Sequence, residues 1–283
     1  MKVLVTGGAG FVAGHLAREL RQAGDEVALT DIVAAPGCAA ADLTDRAALA
    51  ELFSAVRPDA VVHLGAVSFV PDAASDPGRL ERVNVGGTVN LFEAAAAAGG
   101  RRPAFLFVST AQVLDEPRTA YAASKAAAES EVLSRSGRAC TAVIARPANH
   151  TGPGQSPRFV VPSFIRQALE IKRGVRTVFS VGNLDSVREF TDVRDVVSAY
   201  RLLLEKGEPG AAYEIGSGRR MSMRELLRKV AAAVGVPDDY EVDPEKWRPT
   251  GVSRRLDTGP IAALGWRAAV PFEKTISDMV AAS

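Results

Sequence analysis

Short runs that are almost wholly apolar alternate with longer segments of helical period through the first half of the chain. KVLVT (2–6), EVALT (26–30), AVVHL (60–64), AFLFVS (104–109) and CTAVIA (140–145) predict strands. Strands covered on both faces read this way, as near-continuous Val, Leu, Ile and Phe, because neither face is left for polar residues. Residues 11–23, 45–56, 79–98 and 121–136 predict the helices between them. Thr44 or Asp45 is placed to cap the second, and Gly24 and Gly99 stand where helices stop. This β-α-β-α rhythm predicts an α/β fold with a doubly wound parallel sheet and right-handed crossovers.

Beyond about residue 147 the rhythm loosens. NHTGPGQSP (149–157), dense in Gly and Pro, predicts a loop. Residues 159–172 and 193–205 predict helices, AAYEIG (211–216) a strand, and 222–234 a helix whose Ser222 and Glu225 match a capping box. The tail, 240–283, mixes short pieces. The expected organisation is a first domain over 1–147, to which later segments return, and a smaller lobe over 148–283 at the sheet's carboxyl edge.

Composition narrows the partners. The chain has 283 residues, with 34 Lys and Arg against 33 Asp and Glu. A net charge of +1 gives no reason to expect nucleic acid or a membrane surface. No apolar run approaches the roughly 18 residues of a membrane span. The opening MKVLVTGGAG is too short for a signal-peptide core and reads as a strand. Cys38 and Cys140 lie far apart and are expected as reduced thiols in a cytoplasmic protein. His15, His63 and His150 show no metal-ligand spacing, and no metal site is expected.

The chemistry begins in VTGGAGFVAGHLAREL (5–20), which follows the first strand and opens a helix. Gly7, Gly10 and Ala13 carry the G-x-x-G-x-x-G/A spacing. Glycine at 7 permits the tight turn, and glycine at 10 lets the backbone approach a pyrophosphate that the helix N-terminus stabilises. Phe11 and Val12 join them as candidate cofactor-binding residues. In this context the motif predicts a Rossmann-type dinucleotide site. Asp31 ends the second strand, 21 residues after Gly10. Its carboxylate suits both adenosine ribose hydroxyls and repels a 2′-phosphate, and no Arg stands at Ile32 or Val33, so NAD is favoured over NADP. Without the glycines, Asp31 would read simply as the start of a loop. Asp42 and Leu43, in ADLTD, suit the edge and face of adenine.

TAYAASKAAAESE (119–131) places Tyr121 and Lys125 four positions apart, on one helix face. An ammonium beside a phenol favours phenolate, so a lowered Tyr121 pKa is expected. Such a Tyr can move a proton at a carbonyl oxygen while hydride moves at the carbon. The pair alone is better explained by a solvated helix face. The preceding LFVSTA tips the balance, because it puts Ser109 and Thr110 at the carboxyl end of a strand, where α/β folds bind ligands.

Taken in order, TGGAGFVAGHL, ADLTD, HLGAVS, NVGGTVNLFEAA, VSTAQV, YAASK and ARPANHTGPGQ resemble the extended short-chain dehydrogenase/reductase (NAD-dependent epimerase/dehydratase) family over nearly the whole chain. The resemblance implies an enzyme acting on a nucleotide sugar and a triad of Thr110, Tyr121 and Lys125. It implies Leu64, Gly65, Ala66 and Pro147 at the cofactor, with Lys125 also reaching the nicotinamide ribose. Asn84 matches an asparagine behind the active site, and His63 needs no catalytic role. The later segments look closest to the branch holding GDP-mannose 4,6-dehydratase and GDP-6-deoxy-4-keto-mannose reductase. That likeness implies Ser68, Asn149, Arg188 and Arg248 at the substrate, the arginines clamping a diphosphate. Asp192 and Asp195 read as a helix-start carboxylate and a solvated residue. A homodimer through the Ala-rich helices is implied as well.

Within that branch a dehydratase needs a carboxylate just after the Ser/Thr. Ala111 and Gln112 stand there, and neither is a base near neutral pH. The reading is therefore an NAD(P)H-dependent reductase of an NDP-4-keto-6-deoxyhexose such as a GDP-4-keto-6-deoxymannose-like sugar. The alternatives are an NAD-dependent 4-epimerase and, in another class, a non-catalytic dinucleotide sensor, disfavoured because Tyr and Lys are both kept. Two features depart from the resemblance. Only ten residues separate Thr110 from Tyr121, and Gly251 stands where relatives carry an acid.

Overall fold

Val3, Leu4 and Val5 are wholly buried, as a strand sandwiched between helices requires. The computed structural model describes residues 1–68, 76–98, 103–115, 119–137, 140–249 and 254–283; Gly99 and Gly251 lie outside them. The strands are β1 (Lys2–Thr6), β2 (Glu26–Asp31), β3 (Cys38–Ala40), β4 (Ala60–His63), β5 (Ala104–Val108), β6 (Thr141–Pro147), β7 (Asn149–Thr151), β8 (Phe179–Val181), β9 (Val187–Asp192), β10 (Ala212–Ile215), β11 (Arg220–Ser222) and β12 (Tyr240–Val242). The α-helices are α1 (Phe11–Gln22), α2 (Arg46–Val56), α3 (Pro77–Leu80), α4 (Gly87–Ala97), α5 (Ala120–Arg135), α6 (Val160–Lys172), α7 (Val193–Lys206), α8 (Met223–Val234), α9 (Gly259–Ala263) and α10 (Phe272–Ala281).

Two compact units divide the chain. The first comprises Met1–Pro147, Val197–Ile215 and Asp257–Trp266. Its seven-stranded sheet runs β10-β6-β5-β4-β1-β2-β3, and every pairing is parallel. One face packs Leu49, Phe53, Leu91, Phe92, Ala128 and Val132 against strand residues such as Leu4, Val61, Phe105 and Ile144. Local chemistry sets the helix ends. Asp45 caps α2 by accepting from the N–H groups of Ala47 and Ala48. Gly24, at φ 87°, turns the chain out of α1. Trp266 Nε1 donates to Ser198 Oγ at 3.1 Å and ties the returning segment down.

The segment predicted as one helix over 79–98 is not one regular helix. After α3 the backbone widens into a π-helical turn, Glu81–Gly86, before α4. Thr88 Oγ1 donates to the Asn84 carbonyl at 2.6 Å, and Asn84 spends its amide on residue 67. Side chains that occupy backbone groups and pull on a turn in this way accompany a local π-bulge.

The second unit comprises Ala148–Val196, Gly216–Leu256 and Arg267–Ser283. It holds a three-stranded sheet, β11-β9-β7, and a two-stranded one, β12-β8. Phe164, Ile165, Phe179, Phe190, Leu226, Leu227, Phe272 and Ile276 share its core. The capping box of α8 forms as the sequence predicts, Ser222 and Glu225 each bonding the other's backbone. Two expectations fail here. The loop predicted over 149–157 begins as β7, because Asn149–Thr151 pairs in parallel with β9. Asp195 is not solvated: it is 5% exposed, and its carboxylate accepts from the N–H groups of Ala269 and Val270. Asp192 does start a helix, accepting from Arg194 N–H at 2.8 Å.

Candidate active site

The chain leaves β1 toward β2 and β3 on one side and returns to β4 on the other, so the carboxyl ends of β1 and β4 flank a topological switch point. The glycine loop lies there. Gly7 has φ 68°, and a Cβ on it would stand 2.9 Å from Gly65 N. A Cβ on Gly8 would meet Cys38 Sγ and Leu29 Cβ at 2.8 Å, and one on Gly10 would meet Gly7 O at 2.9 Å. Gly10 is the N-cap of α1 and supplies no side-chain cap, leaving the first-turn N–H groups, those of Phe11 and Val12 among them, facing out of the helix end. Bare backbone at the positive end of a 12-residue helix fits a pyrophosphate. Gly7→Ala is expected to destabilise the loop by about 1–2 kcal/mol through its left-handed backbone and to weaken NADH binding at least tenfold. Fluorescence titration with NADH checks this; wild-type affinity in the variant would refute it.

Asp31 closes β2 with both oxygens placed. Oδ2 accepts from Ala9 N–H at 3.1 Å and Oδ1 from Ile32 N–H at 2.7 Å, and each keeps lone pairs for a diol. Ile32 and Val33 beside it are 61% and 68% exposed. Asp42 Oδ1 is used locally, accepting from Thr44 N–H and Oγ1, both at 2.8 Å. Leu43 packs where a Cβ on Gly65 or Gly87 would collide with it.

His63, wholly buried, shows why it needs no catalytic role. Thr88 Oγ1 spends its only proton on the Asn84 carbonyl, so toward His63 Nε2, 2.9 Å away, it accepts. Thr6 Oγ1 accepts from Gly65 N–H and donates to Nδ1 at 2.7 Å. The imidazole is therefore the neutral Nε2–H tautomer. Burial, reinforced by Lys125, holds its pKa well below the usual value. The network fixes the half-buried turn of Leu64, Gly65 and Ala66, and Asn84 continues it. Asn84 Oδ1 accepts from Val67 N–H at 2.8 Å, and its amide donates to Val67 O and to Ser124 Oγ. Ser68, next in the chain, is exposed.

Thr110 follows β5 and opens a 3-10 turn, Ala111–Leu114, by accepting from Gln112 N–H. The neighbouring Ser109 hydroxyl is buried without a partner among the described residues. α5 packs against this turn and against the π-helical turn. It is capped by Thr119, and Tyr121 is its second residue. Ser124 Oγ, which donates to the Tyr121 carbonyl at 2.8 Å, links the helix to Asn84. Lys125 is 2% exposed, and its Nζ lies 4.2 Å from the centroid of the Phe107 ring. The expected fall in the Tyr121 pKa does not occur. Burial pushes the phenol up to about 12. Burial also brings Lys125 down to about 7, against a smaller pull upward from Glu129. The reason is common to both: an amine over a phenyl ring, short of water, is itself too reluctant to carry charge to acidify its neighbour.

Pro147 ends β6 in the same unit, buried and registered with Ile215 of β10. The residues expected at the substrate, Ser68 apart, belong to the second unit. Asn149 and Arg188 sit on the paired strands β7 and β9; Asn149 Nδ2 donates to Glu189 O at 3.2 Å and Arg188 Nη1 to Val187 O at 2.9 Å. Arg248 lies beyond β12, exposed, donating to the carbonyls of Glu245 and Trp247. Thr6, Thr88 and Ser124 are not among the residues the sequence points to. Nothing in a lone threonine announces it; only their partners, dozens of residues away, do.

Fold and site together define a dinucleotide-binding α/β protein with a tyrosine and a buried lysine one helical turn apart. The profile of the NAD dependent epimerase/dehydratase family matches residues 3–216, and the chain belongs to that family. GDP-6-deoxy-D-mannose reductase of Pseudomonas aeruginosa is 35% identical over 296 residues, covering 97% of this chain and 94% of that protein. Among solved structures, RMD from Pseudomonas aeruginosa complexed with NADPH matches with TM-score 0.87 and 33% identity, over 99% of this chain and 98% of that one. The UDP-glucose 4-epimerase of Thermus thermophilus, in complex with NAD, matches with TM-score 0.86 and 30% identity, over 100% of this chain and 98% of that one.

Proposed function

We propose that this enzyme reduces the C4 ketone of a nucleotide-linked 4-keto-6-deoxyhexose, with a GDP sugar as the first candidate. The observation that carries the reading is the placement of Tyr121 one helical turn from the buried Lys125, on a helix packed against the turn that Thr110 opens at the carboxyl end of β5. A ketone gaining hydride needs an acid at its oxygen, and a phenol held near 12 is wholly in its acid form at neutral pH. Bound at the glycine cradle, NAD(P)H supplies the hydride. Tyr121 gives its proton to the oxygen that the hydride leaves negative, Lys125 stabilises the resulting phenolate, and Thr110 orients the carbonyl. Ala111 and Gln112 offer no carboxylate for removing the C5 proton, which sets dehydration aside.

The likeness to the Pseudomonas aeruginosa reductase supports this direction. Asp31 supports NADH over NADPH, since its carboxylate at the end of β2 would repel a 2′-phosphate and no cation stands beside it at Ile32 or Val33. Arg188 and Arg248 suit the diphosphate and Asn149 the sugar. The likeness to the Thermus thermophilus epimerase keeps a second reading, C4 epimerisation. A panel of GDP-, dTDP- and UDP-linked 4-ketosugars, assayed for NADH and NADPH oxidation, tests the proposal. Oxidation of NADH with a ketosugar, fastest with the GDP sugar, is expected. Interconversion of UDP-hexoses without net cofactor use would replace it with the epimerase, and dinucleotide binding without any turnover would replace it with the sensor.

A further inference from the structure

Tyr121, Lys125 and Glu129 recur at intervals of four and share one face of α5, on successive turns. Glu129 is a carboxylate that neither the glycine cradle nor the triad uses, and it is 4% exposed. It is held from the next element: Arg146, on β6, donates from Nε to both carboxylate oxygens at 3.1 and 3.2 Å and from Nη2 to Oε2. Glu214, on β10, lies near enough to Arg146 to hold its charge in turn. Charge thus alternates from Lys125 through Glu129 and Arg146 to Glu214. We propose that Glu129 is a positioning residue for the reaction: clamped by Arg146, it partly offsets the burial of the Lys125 amine and holds it in register one turn from Tyr121.

Geometry and electrostatics both lead there. Few groups face Lys125 in this unit. Among the described residues they are Glu129 on its own helix, the neutral ring of His63 from β4 and the Phe107 ring from β5, with Tyr121 on the same helix face. Glu129 is the one anion among them, and it opposes the desolvation of the amine. Arg146 fixes the position of that carboxylate with its two-oxygen grip, while drawing part of the field away from Lys125. The amine is thereby left near the midpoint of its titration at neutral pH rather than fixed in either form.

The role in turnover rests on the ketoreductase reading, but its test does not. The whole protein, labelled with lysine carrying ¹³C at Cε, is titrated without substrate; the Lys125 signal is identified by its loss in Lys125→Met. In Glu129→Gln, whose amide still accepts from Arg146, the midpoint of Lys125 is expected to fall by about one pH unit or more. In Arg146→Met it is expected to rise. Where substrate turns over, the high-pH limb of kcat/KM for NADH-dependent reduction should move in the same two directions. A brace that merely pins α5 to β6 would change melting temperature in both variants and shift neither midpoint. Unmoved midpoints in folded variants, or shifts of the same sign, overturn the proposal; a wild type that reduces no ketosugar overturns only the ketoreductase reading.

Discussion

Tyr121→Phe is expected to lower kcat/KM for ketosugar reduction by about 10²–10⁴-fold, the usual contribution of a positioned general acid. NADH affinity should stay close to wild type, because the change removes one oxygen from a helix whose capping and packing are independent of it. Thr119 still caps α5, and Ser124 bonds the backbone of residue 121, not its phenol. A phenol raised to about 12 by burial is a reservoir of protons at every physiological pH. Nearby, Tyr200 is wholly buried, with its hydroxyl unpartnered among the described residues and its own pKa pushed up by burial. Steady-state kinetics beside a binding titration separate the two effects. A variant within tenfold of wild type would mean that the proton comes from elsewhere, and the role assigned to the triad would fall.

The second large effect has the opposite sign on stability and on activity. Lys125 has its pKa brought from 10.5 to about 7 by burial. The unfolded chain therefore holds a proton that the folded chain releases between pH 7 and 10.5. Since the unfolded state binds more protons in that window, stability rises with pH across it, and the full cost of the buried ammonium is present below it. Lys125→Met keeps the length of the side chain and removes the charge. The free protein should gain about 2–4 kcal/mol at pH 6 and melt several degrees higher. The advantage should shrink steadily toward pH 10, while reduction falls by orders of magnitude. Calorimetry of both proteins at pH 6, 8 and 10 checks it. A melting difference independent of pH would show that Lys125 is not held neutral-leaning by the fold. Stability surrendered at a reacting group is the ordinary trade between activity and robustness.

Much of the fold can be read from residue pattern for a physical reason. KVLVT, AVVH and AFLFV are continuous in apolar residues because both faces of a parallel strand are covered, and the glycine loop announces itself because only backbone fits there. The short strands β3, β7, β8, β11 and β12, of three residues each, carry too few positions to show a period. The π-helical turn is equally silent, since the bonds Asn84 makes within it run to Val67 and Ser124, which residue pattern does not bring together. Asp195 looks like any helix carboxylate until the chain returns at residues 269 and 270 to use it. The sign of the Tyr121 shift escapes the sequence because spacing reports that an amine is near but not how little water surrounds it. That quantity belongs to the packed molecule. Glu129 has a visible clue, four residues after Lys125, but its meaning depends on Arg146, which sequence does not place.

The parallel pairing of β6 with β10 bears on how the chain is made. β6 is seven residues long and buried along most of its length, and its outer neighbour is not translated until Ala212–Ile215. During synthesis, and in any fragment ending at residue 147, that apolar strand presents open amides and carbonyls to whatever meets it. Expression of the amino-terminal half alone therefore invites edge-to-edge aggregation, and a soluble minimal fragment must carry the β10 strand with it.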